Sequence, residues 1–488
     1  MKSNKSITKN SIFYLIYNVL NVIFPFLTGM YVTHILLPDD IGLVEMAKNF
    51  VQYFVILSFL GIPTYGLREI SKNRNDKAKL SKIYSELMLI NCISTLIFSA
   101  IYLLLIFSIH RCYENINLYL IVGISLVLNL FNNSWLYEGL EEFKYISLRN
   151  LAIKIISCVA LIIIVRNEND YLMYASITVI GTAGNYILNI INAKKFVKFT
   201  LKNLDLKCHL GSIMYLVVVN LAIEIYSLID VTMLGIFCEN KKVAYYSYGI
   251  KIYKILLQVV NSFTMVLVPK ISLYLKENKM NEFKELILKA LKVIFILTIP
   301  MIVGIMFTSD TLITKIYGFG YIESSYVLKI TSFILLISPV GYLLGSRILL
   351  VSGNEKKMII PVVYGAICNV IGNYILIQKY SEIGAAIASV ISEFVVMIIY
   401  INLGKKYFGK LDIKENLIKV TISTCIMSIF LIVIGNYINS SFLKTVIAIL
   451  ISIILYFIAL LILKENFTYT FFKEKILNRL NRRKFEHE

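Results

Sequence analysis

Apolar residues in this chain come in runs of about 20 or more instead of alternating with polar ones, and that is the length a helix needs to cross the hydrocarbon core of a bilayer. The runs predict helices over 11–36, 42–67, 83–108, 118–139, 150–166, 172–193, 211–236, 243–268, 290–309, 326–350, 358–378, 384–403, 417–436 and 443–464. Fourteen spans place both termini on one side. A membrane β-barrel is the other way to satisfy the backbone in lipid, but its ten-residue segments of alternating polarity are missing from the pattern. The basic start MKSNKSITKN leads into an apolar stretch too long for a signal peptide and without a small-residue cleavage site, so it reads as a retained first helix.

Composition agrees with the pattern. The chain of 488 residues is 58% hydrophobic and 16% charged, against about 25% charged in an average soluble domain. A net charge of +19 would suggest nucleic acid in a soluble protein. Its placement says otherwise. With the termini taken as cytoplasmic, 35 of the 49 Lys and Arg fall on that side, in the N-terminal segment, in the loops near 68–82, 144–149, 194–207, 270–292, 356–357 and 405–414, and in the tail from 464. The opposite loops hold seven: Arg111, Arg166, Lys241, Lys242, Lys315, Lys379 and Lys444. This asymmetry sets the orientation by the positive-inside rule and explains the basic balance as topology plus contact with anionic lipid. Residence in a membrane as a multi-pass protein with both termini cytoplasmic follows as the expectation.

The outward loops are short, the longest near 310–325, which leaves no extracytoplasmic domain to house a catalytic centre. The chain is therefore not expected to be an enzyme. The seven Cys are scattered mostly through apolar runs without paired spacing, the four His show no ligand spacing, and HExxH, GxSxG and P-loop patterns are missing, so neither metal nor bound cofactor is implied.

Two weak internal repeats organise the chain. LLPDDIGLVEMAKNF at 36–50 and FCENKKVAYYSYGIKI at 237–252 each join an outward turn to the next helix, about 202 residues apart. EGLEEFKYISLRNLAIKI from Glu138 and LVSGNEKKMIIPVVYGAI from Leu350 sit at the inner ends of the fourth and tenth spans. The organisation expected from them is an N-terminal six-helix lobe at 1–200, a second at 201–410, two extra helices at 411–464 and a basic cytoplasmic tail at 465–488. A pathway would lie at the interface of such repeats.

Charges inside spans cost about 2.5 to 3.5 kcal/mol each on insertion scales and so face a cavity or a partner. Glu45 and Lys48, three apart on the second span, are either a local ion pair or part of a pathway. Lys251 and Lys254 share a face of the eighth span with Tyr248, and Lys254 lies roughly 16 Å from its outer end. Two cations and an aromatic at that depth suit a diphosphate carrying sugars. Arg347, near the inner end of the tenth span, is a secondary candidate that can instead snorkel to the headgroups. Glu224, Asp230 and Glu393 either neutralise basic neighbours or bind a coupling H+ or Na+. Asn18, Asn21, Asn132, Asn133, Asn185, Asn369 and Asn373 line a pathway or bond across helix contacts.

The stretches KSITKNSIFYLIYNVL, ILLPDDIGLVEMAKNF, LGIPTYGLREISKNR, IDVTMLG, LVPKIS, GNEKKMIIPVVYGAICNVIGNYILI and IGAAIASVISE, in that order, resemble the polysaccharide transporter family of the multidrug, oligosaccharidyl-lipid and polysaccharide exporter superfamily. This family holds the O-antigen and capsule repeat-unit flippases, and the likeness runs almost end to end. The Leu37-Pro38-Asp39-Asp40 segment departs from the family's usual Gly followed by an acidic or polar residue. The resemblance implies two six-helix lobes in a V around a cavity that opens alternately inward and outward. It also implies an undecaprenyl-diphosphate-linked oligosaccharide as substrate, with Lys48, Lys251 and Lys254 fitting the diphosphate. Polysaccharide polymerase and glycosyltransferases would be its partners. The rivals are a cation-coupled multidrug antiporter and a lipid II flippase of the same superfamily. A membrane glycosyltransferase or polymerase would need the long outward loop that the sequence lacks.

Overall fold

The structure is a computed structural model that describes residues 21, 23–202, 204–265, 267–438, 442–470 and 473. Lys2, Lys5, Lys9, Asn18, His487 and most of the tail lie outside the described residues. Among the described residues every regular element is helical. Those that position the site are α1 (Ile23–Val32), α2 (Pro38–Phe59), α3 (Ile62–Asn73), α4 (Lys77–Ser108), α5 (Ile116–Asn129), α6 (Phe143–Ile164), α7 (Tyr171–Val179), α8 (Lys207–Phe237), α9 (Asn240–Met265), α10 (Met280–Tyr317), α11 (Glu323–Thr331), α12 (Ile334–Gly341), α13 (Ile359–Phe408), α14 (Lys414–Ile438) and α15 (Phe442–Ile462).

Among the described residues ten helices are long and apolar enough to cross a membrane, with shorter apolar helices at Ile23–Val32 and Tyr226–Phe237. One of the ten runs over two of the expected spans, because α13 is two helices joined at Ser381, whose φ of 48° breaks the helical path. The expected outward loop at 310–325 is shorter than its sequence suggested. Here α10 continues to Tyr317, and the turn is Gly318 with the short helix Phe319–Tyr321.

The helix ends follow local chemistry. Pro38 opens α2, where its missing N–H costs nothing, and Asp39 and Asp40 stand in the first turn against the positive end of the helix. Leu60 and Gly61 are both left-handed (φ 49° and 73°), which stops α2 and lets α3 start afresh at Ile62. Asp76 caps α4 by accepting from the N–H groups of Ala78 and Lys79, each at 3.0 Å.

The outer faces of the helices are apolar, unlike those of a soluble protein. On α4 the exposed stripe is Ile93, Ile97, Ile101 and Leu104, at helical spacing, while the buried side carries Asn91, Ser94 and Thr95. Ser94 donates to the carbonyl of Ser58. Apolar faces toward lipid with small polar residues between helices are what a bilayer selects, since lipid tails give no hydrophobic drive for helices to associate.

By its internal contacts the chain forms two compact units, Met1–Ser247 and Tyr248–Glu488. In the first unit an apolar cluster gathers Ile62, Leu80, Leu87, Trp135, Ile213 and Val217. The second unit has one cluster around Phe283, Ile287, Leu343 and Ile348 and another around Ile296, Val420, Leu431 and Tyr456.

Candidate functional site

The first unit holds most of the buried cationic chemistry. Lys48 lies ten residues into α2, about 15 Å from its N-terminal end. Its Nζ is 3.7 Å from Glu45 and 3.4 Å from the Tyr174 hydroxyl, and it stands 4.7 Å from the Tyr174 ring centre. The local ion pair between Glu45 and Lys48 therefore forms, and α7 adds an aromatic seat to it.

A second cation, Lys154, is missing from the sequence-based candidates. It sits halfway along α6, about 16 Å from either end, and is only 6% exposed. Its Nζ donates to Asn21 Oδ1 at 2.7 Å and lies 5.3 Å from the Phe24 ring centre, while Asn150 Nδ2 donates to the same oxygen at 3.0 Å. Asn150, Lys154, Ser157 and Leu161 are the buried stripe of α6, and Ile155, Ile156, Val159, Ile162 and Ile163 face outward. Once the loop cations on both sides are set apart, seven Lys and Arg remain in the chain, and Lys154 is among them. Its inward stripe was the signal that could have found it. Arg149, placed at the cytoplasmic end by the sequence reading, is instead buried six residues inside α6, 5.5 Å from the Tyr145 ring centre.

The acids separate. Asp230 is buried and accepts from the Tyr246 hydroxyl, and in the same region Thr232 Oγ1 receives Asn49 Nδ2 at 2.7 Å and lies 2.7 Å from the Tyr53 hydroxyl. Glu224 is exposed. The asparagines are largely helix-to-helix or local bonding groups: Asn133 donates to the Tyr84 hydroxyl, Asn185 to the Thr182 carbonyl, Asn373 to Asn369, and Asn369 to Ser392.

In the second unit Lys251 Nζ is 3.5 Å from the centre of the Tyr248 ring. Tyr248 is fully buried, with Tyr317 edge-on at 4.9 Å and Tyr321 at 5.4 Å. The ring is therefore not open to a sugar face, as its sequence position had suggested; it seats the Lys251 ammonium. Lys254, one turn on, is exposed. Tyr248→Leu, which removes that seat and its aromatic neighbours' partner, is expected to cost on the order of 3 kcal/mol, read as a lower thermal midpoint in detergent; an unchanged midpoint would mean the stack carries no stability.

Arg347 follows a π-helical turn, Tyr342–Ser346, three residues after Pro339. Proline has no N–H to give to the helix ladder, and a π turn shifts the side chains that follow. Tyr342 and Tyr400, whose rings are 5.9 Å apart, both lie within electrostatic range of Arg347 and Glu393, so these two charges, distant in sequence, share one neighbourhood.

Partway along these apolar helices, cations are held by aromatic rings and amides. The chain belongs to the polysaccharide biosynthesis protein family, whose sequence model matches residues 7–275. It is 24% identical over 412 residues to a capsular polysaccharide biosynthesis protein of Staphylococcus aureus, covering 82% of this chain and all of that one. It is 23% identical over 408 residues to a putative O-antigen transporter of Escherichia coli K12, covering 81% and 96%. Its fold matches an inward-facing multidrug resistance transporter of the MATE family with a TM-score of 0.68 at 15% identity, over 79% of this chain and 94% of that one. It also matches the lipid II flippase MurJ in an inward closed conformation, with a TM-score of 0.65 at 18% identity, over 92% and 98%.

Proposed function

We propose that this protein is a flippase that moves undecaprenyl-diphosphate-linked oligosaccharide repeat units from the inner to the outer leaflet of the bacterial cytoplasmic membrane by alternating access, supplying surface polysaccharide synthesis. The observation that carries this reading is the placement of Lys154 and Lys251 within membrane helices, each seated on an aromatic ring. Ammonium groups at that depth are costly unless a substrate needs them, and a diphosphate needs them. Family membership and the names of the curated relatives support the same substrate class. A cation antiporter is disfavoured because these side chains repel a cationic drug.

The remaining details belong to the same reading: fourteen spans in two lobes, both termini cytoplasmic, Lys48, Lys251, Lys254 and Arg347 touching the diphosphate or sugars, and Tyr248 acting through Lys251. Asp230 is the better placed of the acids to take up a coupling H+ or Na+, being buried where Glu224 is exposed. A polymerase and glycosyltransferases would work on either side of the transport step.

Deleting the gene should trap lipid-linked repeat units on the cytoplasmic leaflet, read by leaflet-specific labelling of the glycan. Normal surface polysaccharide in the deletion strain, with no substituting flippase, would refute the reading. The double variant Lys251→Ala/Lys254→Ala, expressed at wild-type level, should lower transport about tenfold or more if a charge-assisted contact is lost. Full transport would make the pair structural.

A further inference from the structure

The segment 194–206, which joins the sixth and seventh spans, has the sequence look of a loose basic loop, with Lys194, Lys195, Lys198 and Lys202 all exposed. Its backbone is nonetheless tied down at regular intervals. The N–H of Lys198 donates to Ser81 Oγ at 3.1 Å and that of Thr200 to Ser85 Oγ at 2.9 Å. Ser81 and Ser85 are one turn apart on α4, a rise of about 6 Å, and two residues of extended chain span about 6.6 Å. The two periods match, so the segment lies along the helix as a strap.

At its far end the strap closes on a buried polar trio. Asp205 donates its N–H to Glu86 Oε1 at 2.7 Å, and Glu86 Oε2 is 2.9 Å from His209 Nε2. A carboxylate only accepts, so Nε2 carries a proton toward Glu86, and His209 Nδ1 lies 2.9 Å from the Tyr65 hydroxyl. Tyr65, Glu86 and His209 are 6%, 2% and 5% exposed. The charged groups around them are Lys82, 3.9 Å from Glu86, together with Arg68, Glu69 and Cys208 beside Tyr65. From His209 the buried face of α8 continues through Ile213 and Val217, at steps of four, into the apolar cluster of the first unit.

We infer that Tyr65, Glu86 and His209 form a clasp that fixes the strap at 194–202 and the first turns of α8 onto α3 and α4 within the first unit, so that the chain between the sixth and seventh spans is not a free hinge there. A buried acid–imidazole contact is a poor way to gain stability, because opening it strands a charge in an apolar surround. It is a good way to hold a segment in one register.

Trypsin cleavage at the strap lysines reads this directly, because a protease needs several residues of backbone released from their neighbours. The full-length protein in inside-out membrane vesicles is digested and its fragments are mapped. Ser85→Ala, Glu86→Gln and His209→Ala should each raise cleavage within 194–202 on the order of tenfold, relative to cleavage at Lys356 and Lys357 in the same molecules. Ser85→Ala is the mild member of the set and is read even where the other two express poorly. Wild-type protein cleaved in the strap as fast as the variants would overturn the clasp. Wild-type protection should also be the same in vesicles from cells that make lipid-linked glycan and from cells that do not. A strap that becomes cleavable in one of the two opens during use, which would overturn its being fixed.

Discussion

Gly42→Val should be among the most damaging single substitutions in the first unit. A Cβ at Gly42 would stand 1.8 Å from the Asn240 carbonyl oxygen and 2.4 Å from its carbon, both backbone atoms that no rotamer change can move. The outer turn before α9 packs there on the start of α2. Asp39 accepts from the Lys241 N–H at 3.1 Å, and Arg111 donates to Asn240 Oδ1 at 2.7 Å and to the Gly235 carbonyl. Forcing the helix away breaks these bonds together, at an expected cost of about 3 kcal/mol or more. Gly304→Ala is the control, since nothing lies within 4 Å of its would-be Cβ. Alanine there should hold or raise stability, because it favours the helix by about 1 kcal/mol. Thermal midpoints in detergent compare the two. A Gly42→Val protein as stable as wild type would show that α2 can shift without loss.

Lys154→Met should separate transport from stability. Methionine keeps most of the length and removes a charge that costs about 2.5 to 3.5 kcal/mol in a membrane helix, so folded yield and thermal midpoint should hold or rise. Loss of a charge-assisted contact to phosphate is worth roughly 1.5 to 3 kcal/mol, a fall of about 10- to 100-fold in transport. Lys154→Arg, which keeps the charge, should retain part of it. Full transport in Lys154→Met would assign Lys154 to holding Asn21 against α6.

Much of the candidate site was legible in the sequence because charges in apolar runs stand out. Lys48 with Glu45 and Lys251 with Tyr248 stand out by helical spacing, and Arg347 by its place near the end of a span. Lys154 stands without a second charge at helical spacing, and only the polar stripe it shares with Asn150 and Ser157 marks its face in the sequence. The face that Tyr248 shares with Lys251 was readable from spacing, but Tyr317 and Tyr321 reach it from 69 and 73 residues away, which no spacing along one helix shows. Arg347 and Glu393 share Tyr342 and Tyr400 only once α12, the π turn and α13 are packed together.

The outer contact of Asp39 with Lys241 lies between the two members of the 202-residue repeat. The sequence showed that these turns are alike, and only the fold showed that they touch.

By itself the sequence determined that the chain lives in a membrane as helices, and its charge asymmetry set an expected orientation. Both depend on free energies of transfer from water to lipid, which add up residue by residue along the chain. The tertiary structure alone decided which polar side chains are buried together, that the 194–206 segment is a strap, and that Tyr248 is a seat for Lys251. Those outcomes depend on contacts between distant segments, and their energies are fixed by distances of 3 to 4 Å that no local pattern encodes.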